Sequence, residues 1–347
     1  MVISRTPYRV SFFGGGTDYP AWFRENGGAV LTTSIDKYCY ISCRHLPPFF
    51  EHKHRIVYSK AETVKEISEI QHPSARAVLN YMKIESGLEI HHDGDLPARS
   101  GLGSSSSFTV GLINALKALR GEIISKKHLA EIAIYIEQKV IEENVGSQDQ
   151  IIASFGGFNR IDFNHNGTFG VSPLIVHPSL KKYLEEHLLL FFTGLSRNAP
   201  EIAKHKIENF CRREKELKAM REMVDEATEI LRGPVTALGD FGTLLHESWK
   251  LKRSLSDRVS NGKIDEIYEA GLSAGATGGK LLGAGGGGFM LFFVSPDKRA
   301  ALVERLKPLI PVNFRFESEG SKIVVYEPTL DQYRQTGAPI DFPAPIN

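Results

Sequence analysis

The stretch Asp95-Leu96-Pro97-Ala98-Arg99-Ser100-Gly101-Leu102-Gly103-Ser104-Ser105-Ser106-Ser107 runs directly into an apolar segment that ends at Leu119. In that segment Phe108, Leu112, Leu116 and Leu119 recur at helical spacing, which predicts a loop delivering the chain into a buried helix at Ser104. The first turn of a helix has unpaired backbone N–H groups and a partial positive charge. Glycines just upstream let the backbone wrap closely around an anion, and serine hydroxyls add donors, so the physics is that of a phosphate cradle. A plain serine N-cap is the simpler alternative. A cap needs one serine; four in a row after Gly101-Leu102-Gly103 exceed that need. The loop has no lysine, so it is not the Walker type, whose glycines end on Gly-Lys-Ser/Thr.

Working outward, many of the 32 glycines are clustered, at Gly14-Gly15-Gly16, around Gly101 and from Gly283 to Gly288. Gly278-Gly279-Lys280 is followed by Leu281, so it lacks the hydroxyl a Walker loop uses for magnesium. Gly283, Gly285 and Gly288 satisfy a G-x-G-x-x-G pattern. A dinucleotide fingerprint needs a helix after the glycines, whereas here the strand-like Phe289-Met290-Leu291-Phe292-Phe293 comes next. That order excludes it.

Upstream of the loop, Val2 to Phe13, Val30 to Ile35, Tyr38 to Arg44 and Leu88 to His92 have strand composition, and Ser74 to Glu85 has helical composition. Downstream come a helix over Lys126 to Glu142, a short helix starting near Gly146 or Ser147, and a strand over Phe158 to Phe163. The segment from Ala199 to Leu231 predicts one long helix with a charged, solvated face. Strand Phe289 to Val294, helix Asp297 to Leu309, and strands Asn313 to Phe316 and Lys322 to Glu327 predict an α+β domain with an antiparallel sheet. The expected division is an N-terminal domain over 1–180, a second over 181–330 and a proline-rich tail over 331–347.

A chain of 347 residues is long enough for two cores. Lys and Arg total 42 against 41 for Asp and Glu, a net charge of +1. Such balance gives no electrostatic reason to expect nucleic acid or an anionic membrane as partner. The runs Leu188 to Phe192 and Phe289 to Val294 are too short to span a bilayer, and the N-terminus has no signal-peptide core. Cys39, Cys43 and Cys211 form no paired framework, so a reducing cytoplasm is the expected setting. His52, His54, His91 and His92 show no metal-ligand constellation.

The loop over Pro97 to Ser107 resembles the nucleotide motif of the GHMP kinase superfamily. Arg5-Thr6-Pro7-Tyr8-Arg9-Val10-Ser11-Phe12-Phe13-Gly14-Gly15-Gly16-Thr17-Asp18-Tyr19 resembles the first motif of that family, and Leu281 to Phe289 its third. The resemblance implies an α+β two-domain GHMP kinase fold, the N-terminal domain like the second domain of ribosomal protein S5 and the C-terminal one ferredoxin-like. Within the family, the segments over 7–20, 146–150 and 278–289 are similar to kinases that phosphorylate the anomeric hydroxyl of D-glycero-D-manno-heptose 7-phosphate. Other sugar kinases of the family, for fucose or a hexose derivative, and a non-catalytic binder on the same fold are the alternatives.

The resemblance also implies roles for individual residues. Asp149 matches the catalytic aspartate and Arg9 the cation that balances charge beside it. Pro97, Arg99, Ser100, Gly101, Leu102, Gly103, Ser104, Ser105 and Ser106 would hold ATP, and Glu137 with Ser105 would hold Mg2+. Gly14, Gly15, Gly16, Thr17 and Asp18 would face the acceptor, with Gly285 and Gly286 nearby and Arg197 or Lys280 as candidates for a distal phosphate. Galactokinase-like first motifs carry Gly-Glu-His-Thr-Asp, where this chain has Gly14-Gly15-Gly16-Thr17-Asp18. Losing the carboxylate and imidazole opens space and removes a negative charge, which favours an acceptor with a charged or bulky tail. The implied partners are ATP and a small sugar phosphate, with a homo-oligomer left open.

Overall fold

The computed structural model describes residues 1–98, 100–195 and 199–328. Arg99, Arg197 and the expected tail over 331–347 lie outside the described residues. In chain order the first half contains β1 (Val2–Phe13), α1 (Pro20–Asn26), β2 (Gly28–His45), β3 (His54–Val57), β4 (Ala61–Val64), α2 (Pro73–Tyr81), β5 (Leu88–Gly94) and α3 (Ser104–Leu119). It continues with α4 (Lys126–Tyr135), α5 (Gln148–Phe155), β6 (Phe158–Phe163) and β7 (Phe169–Pro173). The second half contains α6 (Pro178–His187), β8 (Leu188–Phe192), α7 (Ala199–Glu208), α8 (Glu214–Arg232), α9 (Gly239–Ser254) and α10 (Gly262–Ser273). Then come β9 (Ala276–Leu281), β10 (Phe289–Val294), α11 (Arg299–Arg305), β11 (Ile310–Val312), β12 (Phe316–Glu317) and β13 (Lys322–Tyr326).

The larger sheet is built on β2, whose one long strand replaces the two expected. Pairing with β1 runs from Val2↔Cys43 to Phe13↔Leu31 and steps from Pro7↔Tyr38 to Tyr8↔Ile35. Asp36 and Lys37, which interrupt the β-rich sequence, therefore bulge out without ending the strand. β2 then pairs β5 along one half and β6 along the other. The sheet order is β13-β1-β2-β5-β3-β4, with β6 and β12 also paired to β2 and β7 paired to β6. Against it lies α3, buried over most of its length because its sequence is apolar nearly all round. Ser4 Oγ donates to the Gly111 carbonyl (2.8 Å) and Ser107 Oγ to that of Pro7 (3.0 Å), which fixes where the helix begins relative to β1.

The smaller sheet, β11-β8-β10-β9, is antiparallel throughout. Every residue of β10 is buried. Its Phe289, Leu291 and Phe293 join the main core, while Met290, Phe292 and Val294 pack with Trp249 and Tyr268 on the other face. A strand covered on both faces has no polar side, which explains its unbroken apolar sequence.

Three expectations are corrected. The strands near the C-terminus do not complete the second sheet: β13 pairs β1 and β12 pairs β2. The larger sheet is thus closed by residues from beyond 310. The long helix over 199–231 breaks at a 3-10 turn, Phe210–Arg212. Phe210 turns inward there, edge-on to Tyr19 and Trp22, and burying that ring outweighs continuing the helix. Likewise the helix over Lys126 to Glu142 ends as a π-helical turn, Ile136–Val140. Among the described residues no helix is long and apolar enough to cross a membrane.

Candidate active site

Gly103 closes the serine-glycine loop with φ +78°, a left-handed backbone that favours glycine, and acts as N-cap of α3 with no side-chain cap hydrogen bond. No acidic residue occupies the first turn of α3. The amide groups at that end therefore face outward, as an anion site requires.

Arg9, on β1, ties this loop to Asp149. Its backbone N–H donates to the Leu102 carbonyl (3.0 Å) and its Nη1 to that of Gly101 (2.6 Å). The Nε and Nη2 groups each donate to one oxygen of the Asp149 carboxylate, both at 2.7 Å. Such a two-point pair fixes the plane of the carboxylate. Arg9 is nearly sealed, with 6% of its side chain exposed, whereas Asp149 retains 25%. Asp149 thus presents an edge to solvent, in the first turn of α5. It also lies against the helix mouth: a Cβ on Gly103 would sit 3.5 Å from Asp149 Oδ2. The opening of α3 and the carboxylate are neighbours.

Behind the same helix end sits Glu137, fully buried on the π-helical turn. Ser106 Oγ donates to its Oε2 at 2.9 Å, and Gln150 Nε2 donates to the same oxygen. Burial pushes this carboxyl up to about 7. Thr109 stands close to it, but the Thr109 hydroxyl donates to the Ser105 carbonyl (3.2 Å), and Glu137 Oε1 has no partner among the described residues. The serine beside Glu137 is therefore Ser106. Ser105, expected in that place, is exposed on the other side of the first turn, because successive helical residues point about 100° apart.

Asp18 is buried under the glycine turn at the end of β1. It accepts from the Gly16 amide (2.9 Å) and from Gln148 Nε2 (3.0 Å), and burial raises its pKa. Its backbone carbonyl accepts from the Ser147 amide (2.9 Å), which draws the start of α5 onto the turn. Gly146 makes the approach feasible, since a Cβ there would fall 1.8 Å from Asp18 Oδ2.

The third glycine loop joins β9 to β10 and docks on the serine-glycine loop. The Phe289 amide donates to the Ser100 carbonyl (3.1 Å), and the Gly286 amide to that of Val259 (2.9 Å). Lys252, which no sequence motif marks, bridges the carbonyls of Leu281 (2.6 Å) and Gly283 (2.7 Å).

Several expected ligand residues are occupied by the fold itself. Leu102 is part of the core, and Ser100 is buried at the junction of the two loops. Thr17 Oγ1 donates to the carbonyls of Gly14 and Ala29, both at 2.9 Å, and so clamps the turn. Lys280 donates to the Phe12 carbonyl, and burial lowers its pKa to about 7. Lys280 is therefore buried inside the protein, away from the surface where a flexible phosphate-gripping cation would stand. Gly285 is packed on the Val259 backbone. Two further residues, Ser11 and Gln148, border the Gly15 turn and were not singled out in the sequence. Gln148 was legible only as a neighbour of Asp149.

Two family models match the chain. "GHMP kinases N terminal domain" matches residues 68–157 and "GHMP kinases C terminal" matches residues 195–308. The chain is 32% identical over 335 residues to the D-glycero-alpha-D-manno-heptose 7-phosphate kinase of Campylobacter jejuni, covering 92% of this chain and 97% of that one. Over 322 residues it is 26% identical to the bifunctional fucokinase/GDP-fucose pyrophosphorylase of Arabidopsis thaliana, covering 85% of this chain and 30% of that protein. The crystal structure of a D-glycero-D-manno-heptose 1-phosphate kinase from Bacteroides thetaiotaomicron superimposes with a TM-score of 0.74. That superposition covers 94% of this chain and 100% of the other at 23% identity, a likeness of fold.

Proposed function

The chain belongs to the GHMP kinase family, and from that premise we propose that it transfers the γ-phosphoryl group of ATP to the anomeric hydroxyl of D-glycero-D-manno-heptose 7-phosphate, giving the 1,7-bisphosphate. The observation that carries this reading is the adjacency of Asp149 to the opening of α3. One site there can seat a triphosphate while a fixed carboxylate edge, held by Arg9, faces the attacking hydroxyl and accepts its proton. Similarity to a heptose 7-phosphate kinase along nearly the whole chain supports the choice of acceptor. The bare Gly15 supports it too, since a carboxylate at this turn would repel a second phosphate.

Glu137 and Ser106 fit a magnesium ion. A buried carboxylate oxygen without a partner, beside a hydroxyl, is an oxygen donor set suited to a hard cation. When bound, the ion would neutralise charge on the β- and γ-phosphates. Pro97, the backbone of Gly101 to Ser106, and Ser104 and Ser105 would line the nucleotide. We assign the reaction to the cytoplasm, where ATP is available.

Incubation with Mg-ATP and the heptose 7-phosphate, then phosphorus NMR, tests the reading. A second phosphate signal coupled to the anomeric proton is expected. An inert heptose 7-phosphate alongside turnover of a neutral sugar would favour the second reading, a kinase for fucose or a related sugar, which the likeness to the plant fucokinase supports.

A further inference from the structure

The chain leaves β9 through a loop with almost no side chains to anchor it: from Gly283 to Gly288 a single methyl group, that of Ala284, is available. The path of the loop therefore rests on backbone contacts. The Leu282 amide donates across the sheet to the Phe289 carbonyl (2.9 Å). Backbone groups alternate in direction along a strand, so the carbonyls of its neighbours, Leu281 and Gly283, turn to the opposite edge. That edge is the end of the smaller sheet, and no further strand pairs with β9 there among the described residues. Lys252, on α9, takes the place of the missing strand. Its Nζ donates to both carbonyls, at 2.6 and 2.7 Å. Lys252 is 5% exposed, with its Nζ 5.9 Å from the centre of the Trp249 ring. A charge buried among apolar groups is costly unless its N–H groups are met, and here they are directed at the mouth of the loop.

At its far end the same loop is fastened to the serine-glycine loop. The Phe289 amide donates to the Ser100 carbonyl (3.1 Å), and Gly288 lies close enough that a Cβ would fall 2.1 Å from that oxygen. Thr193 holds the Gly288 carbonyl with its amide (2.9 Å) and its hydroxyl (2.8 Å). Arg9 meanwhile holds the carbonyls of Gly101 and Leu102. Ser100 to Leu102 is thus gripped by β1 and by the third glycine loop, immediately ahead of the opening of α3.

We propose that Lys252 is a positioning residue for the nucleotide. By fixing the two carbonyls at the entry of the third glycine loop, it sets where that loop holds Ser100, and hence where the amides opening α3 meet the phosphates. The assignment rests on the kinase function proposed for the chain. Lys252 itself contacts Leu281 and Gly283, so its effect on the nucleotide passes through the loop.

The test measures the Kd of Mg-ATP by calorimetry and the KM of the sugar phosphate in the full chain, Lys252→Met, Lys252→Gln and Leu302→Ala. Methionine keeps an unbranched stem and loses every N–H donor. It should raise the Kd about tenfold, the size of one hydrogen bond to a charged group, and leave the sugar KM within about twofold. Glutamine is shorter and uncharged but still a donor; it should give a smaller rise in the same direction, and it decides the matter if the methionine variant does not fold. Leu302 is buried in the same core as Trp249, on α11. Its truncation to alanine should lower the melting temperature with the Kd for ATP unchanged. A Kd within about twofold of the wild type in the folded Lys252 variants, or an equal rise in Leu302→Ala, would overturn the positioning role and leave the kinase intact. Calorimetry needs no acceptor. If the wild type binds ATP yet leaves heptose 7-phosphate unchanged, the proposed acceptor falls and the comparison of Kd values still decides this inference. A wild type that binds no ATP removes the kinase reading, and this inference with it.

Discussion

The two glycine loops that meet at Ser100 have similar composition and opposite roles. The loop over 95–103 ends on a helix and places its last glycine, Gly103, at the N-cap, where no side-chain cap hydrogen bond is made. The loop over 282–288 lies between two strands and spends its glycines on contact: Gly285 on the Val259 backbone and Gly288 on the Ser100 carbonyl, where a Cβ would come within 2.1 Å. One loop is open toward a ligand; the other braces it from behind, with Lys252 bridging its first carbonyls. The task of a glycine loop is set by the element it delivers the chain into. A helix supplies unpaired amides; a strand spends its amides on its neighbours.

The sharpest way to break this contrast is at the carboxylate beside the open loop. Asp149→Asn should lower kcat about 10³-fold, within the range of a lost proton acceptor. ATP affinity, measured by calorimetry, should stay near wild type. A kcat that stays within about threefold of the wild type would take Asp149 out of the chemistry.

The bracing role is tested by stability. Gly288→Ala should cost about 3 kcal/mol in denaturant unfolding, since its Cβ meets a backbone carbonyl at an unfavourable φ of +101°. Gly121, at φ +71° with open space around it, isolates the backbone term, and Gly121→Ala should cost only about 1 kcal/mol. Equal costs would mean that the docking of the two loops adds nothing.

A smaller effect comes from Lys280, at the entry to the bracing loop. Its pKa falls to about 7 in the folded chain, from an ordinary value near 10.5. Between those values the unfolded chain binds the extra proton, so stability should rise with pH across that window, by at most about 1.4 kcal/mol per pH unit. Below about 7 both states are protonated and the slope vanishes. Lys280→Met should remove this part of the slope in unfolding curves taken at pH 7, 8 and 9.

Much of the fold was legible because it rests on local signals. The apolar stripe of α3, the β-branched runs of β1 and the wholly apolar β10 each state their environment in their own spacing. The break at Phe210 was not legible, because the charged sequence around it is uniformly helical and the ring's partners, Tyr19 and Trp22, lie almost two hundred positions away. Nor was the return of β12 and β13 to the first sheet, since a short strand carries no mark of which edge it will pair. At the candidate site, Asp149, Arg9 and Glu137 were singled out through motif likeness, and the structure pairs Arg9 with Asp149. The choice of Ser106 over Ser105 needed the phase of the helix relative to Glu137.

The sequence by itself determined that a helix would begin at the four serines and that glycines would strip its end bare, since caps and helical period are properties of adjacent residues. It also pointed, through motif likeness, to the family, and singled out Asp149 as the candidate catalytic carboxylate. Only the tertiary structure decided that Arg9 joins Gly101 to Asp149, that Thr17 and Lys280 are consumed inside the fold, and that Gly15, unlike Gly14 and Gly16, would carry a Cβ with no contact closer than 3.8 Å. These are contacts between residues up to 268 positions apart. Such contacts depend on how the strands and helices pack, and no local pattern records the packing.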